Sequence, residues 1–336
     1  MTIKRSLKKI TLSVLRDAGA FSVIANSKRR QNKLLILCYH GIALRDEHEW
    51  LGQLYITPDR FHQRLETLKS YGANVVPLNE GIERLRTHSL PPRSVVITFD
   101  DGFHDFHHHA VPILLSFGYP CTLYLTTHYC EYRVPIFNLI VSYMLWKSGH
   151  SDFNFPAIGI ENPMPVRGYR ERARAVQAIM HWTNTRRMTT LAKDQVAREL
   201  AARLRIDYDD LVRNRLLQIM SSSEVNAIAK SGVQVQLHTH RHRTPRDRDL
   251  FEREIRDNRE RILEYTGSEP FHFCYPSGDY AYEFLPWLRD LGVRSATTCE
   301  PGLAKRASEP LLLPRFLDAT SVSDIDFESW LCGVQG

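Results

Sequence analysis

Asp100 and Asp101 stand side by side in the segment Thr98-Phe99-Asp100-Asp101-Gly102, at the end of the apolar run from Ser94 to Phe99. Neighbouring side chains on an extended chain point in opposite directions, and two unpaired carboxylates this close repel. A divalent cation on one of them would offset the charge and leave the other as a base. A second reactive group is Leu237-His238-Thr239-His240-Arg241-His242, again after an apolar run. His238 and His242 are four residues apart, so a strand end and the loop after it can aim both imidazoles at one ion. With one carboxylate they make a two-histidine, one-carboxylate set that leaves positions open for water and substrate. Thr239 is placed to orient a ligand and His240 to point away. The chain has fifteen histidines, and His107, His108 and His109, at a helix start, read as solvated.

Both segments need strands whose carboxyl ends share a face. From Leu34 onward short apolar runs alternate with helical patterns. Strands are expected at Leu34 to Tyr39, Val75 to Leu78, Ser94 to Phe99 and Cys121 to Leu125. Helices follow at Thr57-Pro58 through about Tyr71, after Leu78 to about Thr87, and after Asp101 through Phe117. This alternation implies parallel βα units. Residues from about 134 to 231 then read as helical almost throughout, apart from a Pro/Gly-rich loop between Ser148 and Gly168, which makes them an insertion between two barrel strands. Ser221 and Glu224 form a capping box before a helix to Lys230, and Gly232 ends it. Strands resume at Val233 to Leu237, Phe271 to Tyr275, Ser295 to Thr298 and Leu311 to Leu313. Helices are expected at Asp247 to Thr266 and Asp324 to Leu331.

The segment TFDDG followed by H-T-x-x-H resembles the polysaccharide deacetylase family, the NodB-homology domain of carbohydrate esterase family 4. The resemblance runs from about Leu34 to Arg315 with the insertion intervening. It implies an α/β fold, a distorted (β/α) barrel of about seven strands. By motif it makes Asp100 the general base and Asp101, His238 and His242 the ligands of Zn²⁺; two imidazoles and a carboxylate also suit Fe²⁺, Co²⁺ or Ni²⁺. The family's third motif, R-P-P-Y-G, is matched by Cys274-Tyr275-Pro276-Ser277-Gly278. The motif arginine is therefore Cys274 here, and the Y-P-x-G form resembles the exopolysaccharide-type branch. Its turn could aim the Ser277 backbone N–H at an oxyanion. Arg315 in Leu313-Pro314-Arg315, also at a strand end, reads either as a replacement for the lost arginine, paired with Asp100, or as one partner of a surface salt bridge. The family's C-terminal L-x-H acid has no counterpart, because no histidine follows His272. Tyr39-His40-Gly41-Ile42 resembles the Y-H-x-I signature of members that supply the acid from before the Asp pair, which points to His40.

The resemblance implies a metal-dependent hydrolase that removes N-acetyl groups from N-acetylhexosamine residues of a surface polysaccharide or its lipid-linked precursor. The alternatives are deformylation of a lipid-linked aminosugar and a non-catalytic glycan-binding barrel.

Length and composition agree with this. The chain has 336 residues, 43% of them hydrophobic, enough for one elaborated barrel. Six scattered cysteines without C-x-x-C spacing read as mostly buried free thiols of a reducing cytosol. Residues 1–33 hold nine Lys or Arg against Asp17 alone, a charge of +8, while the other 303 residues sum to −2. In this arm Ile3, Leu7, Ile10, Val14, Ala18 and Phe21 recur every three or four residues, flanked by Lys4, Arg5, Lys8, Lys9 and Arg16. It reads either as a helix on an anionic inner-leaflet surface or as a terminal helix packed on the body with its basic side in water. No apolar run is long enough to span a membrane. Arg16 and Asp17 interrupt any signal-peptide core, so the expected location is cytoplasmic, peripheral at the inner membrane face. No groove-reading motif accompanies the charge, so nucleic acid is not an expected partner.

Overall fold

A computed structural model describes residues 2–335. Lys33–Tyr39 is buried along its whole length: Leu35 and Leu37 pack on helices outside the sheet and Leu34 and Ile36 on side chains of the barrel interior, which explains its unbroken apolar sequence. It pairs in parallel with Ser94–Asp101, Leu37 facing Ile97 and Tyr39 facing Phe99. Outward from there the sheet continues in parallel through Thr122–Leu125, Gln234–Leu237, His272–Cys274 and Ser295–Thr297. On the other side of Lys33–Tyr39 lies the antiparallel strand Ala304–Lys305. With Asn74–Val75 beside Ser94–Asp101 and Phe316–Leu317 beside Lys33–Tyr39, the described residues form one curled, mostly parallel sheet of nine strands, seven of them in continuous order, the expected distorted (β/α) barrel. Its core packs Leu35, Leu37, Phe99, Leu123, Leu237 and Phe273 against helices on the outer face.

Helix starts follow their caps. Thr57 accepts from the Arg60 amide before Pro58–Ser70, Asp247 caps Arg248–Thr266, and Ser221 with Glu224 closes a capping box on Ser222–Lys230. The Asp324–Cys332 helix is also as expected.

Three expectations are corrected, and two short strands were not foreseen. Residues 148–168 are not a loop: Asp152–Phe155 and Ile160–Pro165 form an antiparallel hairpin. A two-stranded ribbon with free edges tolerates prolines, which concealed it. Leu311 to Leu313 makes only an isolated bridge, Leu313 with Thr297, because Pro310 and Pro314 flank it and cannot donate to a ladder. Val75 to Leu78 shrinks to a two-residue strand, Asn74–Val75, and Leu78 begins the next helix. Ala304–Lys305 and Phe316–Leu317, which both pair with Lys33–Tyr39, are too short to leave a periodic signal.

The insertion has its own apolar cluster, including Ile140, Met144, Ala175, Ile179, Ala197 and Leu200, and that cluster runs to Leu217. Val225 and Ile228 of the following helix pack in the barrel core instead.

The arm is helical over Thr2–Asp17 and Ala20–Ala25; the side chains of Ile3, Lys4 and Arg5 lie outside the described part. The expected single stripe divides at Gly19, whose φ is 77°. Leu12, Phe21 and Ala25 are buried against Ile325 and Cys332, and Lys8 and Arg16 pair with Asp326 and Glu328. Leu7, Ile10 and Val14 face away, each more than 60% exposed. No helix among the described residues is long and apolar enough to cross a membrane.

Candidate active site

Sheet register brings the two sequence segments together. Asp101 pairs with Leu125, Leu125 with Leu237, and Leu237 with Phe273. One step further along the strand direction, His238 and Cys274 are neighbours at the carboxyl edge, where parallel α/β sheets place their sites. At Asp101 the strand turns into the left-handed region, φ 72°, and the Gly102 amide returns to the Asp100 carbonyl at 2.9 Å. Thr239, His242 and Ser277 share this backbone sign, with φ of 60°, 53° and 57°. Such conformations are costly for residues with a Cβ and cluster where a fold must aim a side chain.

Asp101, His238 and His242 converge. Both Nε2 atoms lie 3.1 Å from Asp101 Oδ1, and the ligand atoms of all three lie within 4.8 Å of one another. His238 Nδ1 is 2.9 Å from the Cys274 carbonyl, which can only accept, so Nδ1 carries the proton. In the neutral ring Nε2 is then the lone-pair nitrogen, the donor atom that a cation beside Asp101 needs. A ligating histidine held through its other nitrogen is the usual support of a metal site, and the donor set fits Zn²⁺. Burial would raise the Asp101 carboxyl, but His242 and His238 outweigh it and hold it well below the usual range. Burial would lower His242, but Asp101 raises it overall.

The loop is fixed by residues that no motif marked. Asn258, buried in the charged helix, accepts from the His238 amide at 2.9 Å and donates to the Leu125 carbonyl and Thr127 Oγ1. Thr239 Oγ1 accepts from the Arg243 amide, closing the turn around His242. His240 points away as expected, onto Thr127 Oγ1.

Asp100 faces the opposite side of its strand and is buried. Arg315 Nη1 donates to its Oδ1 at 2.8 Å and Nη2 to its Oδ2 at 2.7 Å. Arg315 is itself buried, and it also donates to the Thr298 carbonyl and Thr98 Oγ1. Its Nη2 lies 3.0 Å from Cys274 Sγ, so the small cysteine at the motif position leaves room for a guanidinium arriving from another part of the chain. Burial alone would raise the Asp100 carboxyl; Arg315 overcomes it and drives it far down. The thiols of Cys274 and Cys38 also reach Oδ2, at 3.3 and 3.6 Å, contacts not foreseen from sequence. The six cysteines are free, and all but Cys299 are buried.

His40 Nε2 lies 3.8 Å from Asp100 Oδ2, and its side chain is 13% exposed. Burial lowers its proton affinity; Asp100 and Asp101 pull the other way, and burial prevails. Ser277 sits in a one-turn helix, Pro276–Gly278, three residues beyond Cys274.

The chain matches the family model for polysaccharide deacetylase over residues 87–296. It is 28% identical over 112 residues to the poly-beta-1,6-N-acetyl-D-glucosamine N-deacetylase of Staphylococcus epidermidis, a stretch that is 30% of this chain and 39% of that protein. In fold it resembles the Streptococcus pyogenes deacetylase PplD in complex with acetate, with a TM-score of 0.60, 19% identity and coverage of 89% of this chain and 98% of that one. It also resembles IcaB from Ammonifex degensii, with a TM-score of 0.54, 17% identity and coverage of 89% of this chain and 97% of that one.

Proposed function

The chain belongs to the polysaccharide deacetylase family, and from that premise we propose that it is a metal-dependent N-deacetylase of exopolysaccharide type. Its substrate would be N-acetylhexosamine units of a surface glycan or its lipid-linked precursor. The observation that carries this is the convergence of Asp101, His238 and His242 on one point beside the buried Asp100–Arg315 pair.

Amide hydrolysis needs a nucleophilic water, a stabilised carbonyl oxygen and a proton for the departing amine. A divalent ion held by Asp101, His238 and His242 would polarise the acetyl carbonyl and bring the water's pKa from about 16 toward about 7. Asp100 takes the water's proton. Arg315 keeps that carboxylate ionised and correctly turned, and an ion-paired carboxylate of low basicity gives up a proton readily. In its neutral form His40, close to Asp100 Oδ2, receives it and delivers it to the amine nitrogen as the tetrahedral intermediate collapses. The Ser277 amide would stabilise the oxyanion.

The cytoplasmic side of an anionic inner membrane is the proposed location. Its support is the exposed row Leu7, Ile10 and Val14 on an arm of charge +8, the pattern of an interfacial helix.

The test is to measure metal content of the purified protein together with acetate and formate release from N-acylated hexosamine oligomers. Acetate with bound metal supports the proposal, formate moves it to a deformylase, and absence of both products and of metal uptake leaves a glycan-binding barrel.

A further inference from the structure

A cavity of about 470 Å³ lies where the insertion meets the barrel, within the range of roughly 300–1,000 Å³ typical of small-ligand sites. Arg241 and Arg243, the residues on either side of His242, form one wall. Tyr129 and Tyr132 form a second, and Thr190 and Lys193 of the insertion a third. The two bodies are tied at this point by His128, which bonds Thr190 Oγ1 through its ring at 3.2 Å and the His240 carbonyl through its amide at 2.8 Å. The cavity thus shares a loop with the proposed metal ligand but contains none of the ligands.

Its charge is balanced. Arg241 is bound by Glu254 and Asp257, and Arg243 by Glu254. Lys193 donates to Asn184 Oδ1, and Asp194, also on the wall, accepts from the Tyr208 hydroxyl. What remains is a set of aromatic faces interleaved with hydroxyls and satisfied donors, which suits the apolar faces and hydroxyl rims of uncharged sugars better than a phosphate.

We propose that this cavity is a glycan subsite, which binds uncharged N-acetylhexosamine units adjoining the one being deacylated, so that the insertion makes the enzyme select oligomers over single sugars. The proposal rests on the deacetylase reading of the neighbouring centre.

Tyr132→Ala and Lys193→Ala, compared with the unaltered enzyme on N-acetylglucosamine oligomers of increasing length in β-1,4 and β-1,6 linkage, test it. Binding by calorimetry and kcat and KM for acetate release would be read separately. We expect affinity to rise with length in the unaltered enzyme, and Tyr132→Ala to raise KM for the longest oligomer about tenfold with kcat and single-sugar turnover unchanged. Length-independent affinity, an equal loss at every length in both variants, or preferential binding of inorganic pyrophosphate would overturn it. Length-dependent binding without any acetate release would instead leave the subsite standing and remove the deacetylase reading.

Discussion

Arg315 grips Asp100 through both terminal guanidinium nitrogens, at 2.8 and 2.7 Å, with both side chains almost wholly buried. The two residues are 215 positions apart, and the pair decides the charge state of the proposed base. Removing one partner of a buried ion pair strands the other charge and costs about 3–5 kcal/mol, whereas replacing both by apolar groups can be nearly neutral. Arg315→Ala is therefore expected to lower the urea midpoint strongly, and Asp100→Leu with Arg315→Met to recover much of the loss. A single variant as stable as the unaltered protein would contradict the pairing.

His40 is the residue through which the proton is expected to leave. Its imidazole is held below the ordinary histidine value, chiefly by burial. His40→Ala should lower kcat by about 10² or more and remove the histidine-dependent limb of the kcat profile against pH, while bound metal stays constant. An unchanged kcat at every pH would exclude it as the acid.

His272 offers a pH test of stability away from the site. Burial, with Arg294 adding to it, holds its pKa at about 4 against 6.5 for the free group, and its Nδ1 bonds Ser295 Oγ at 2.8 Å. The unfolded chain takes up this proton near pH 6.5 and the folded chain only near 4, so stability falls as pH drops through that window. The loss amounts to at most about 3 kcal/mol. His272→Gln should flatten the decline of Tm between pH 7 and 5. His240, also held at about 4, leaves part of the slope in place.

For the arm, Leu7→Asp with Ile10→Asp and Val14→Asp should abolish sedimentation with vesicles containing anionic lipid and leave turnover of a soluble oligomer intact. These side chains touch no part of the core, so the fold should be unaffected; equal vesicle binding by the variant would refute the membrane role.

Much of the site could be read from short motifs because each sits directly after a strand, where local sequence and sheet register agree. TFDDG and H-T-x-x-H needed only the knowledge that parallel strands end on one face. Arg315 was legible as a strand-end arginine in a chain whose motif arginine had become Cys274. Asn258 was not, because it sits among charged residues on a helix with no local mark of burial, and its partners lie on two other strands. The thiols around Asp100 and the hairpin at 152–165 were hidden for a similar reason: their contacts depend on register and edge position rather than on periodicity. In the arm, the periodicity was visible but not its division between a packed side and an exposed one.

The division of labour between two adjacent carboxylates is the centre of this account. Asp100→Asn, assayed for bound metal by elemental analysis and for acetate release on the same preparation, tests it most directly. The expected result is metal at the unaltered stoichiometry with turnover lowered by about 10² or more, while Asp101→Asn loses the metal. Acetate release at the unaltered rate from metal-loaded Asp100→Asn would contradict it.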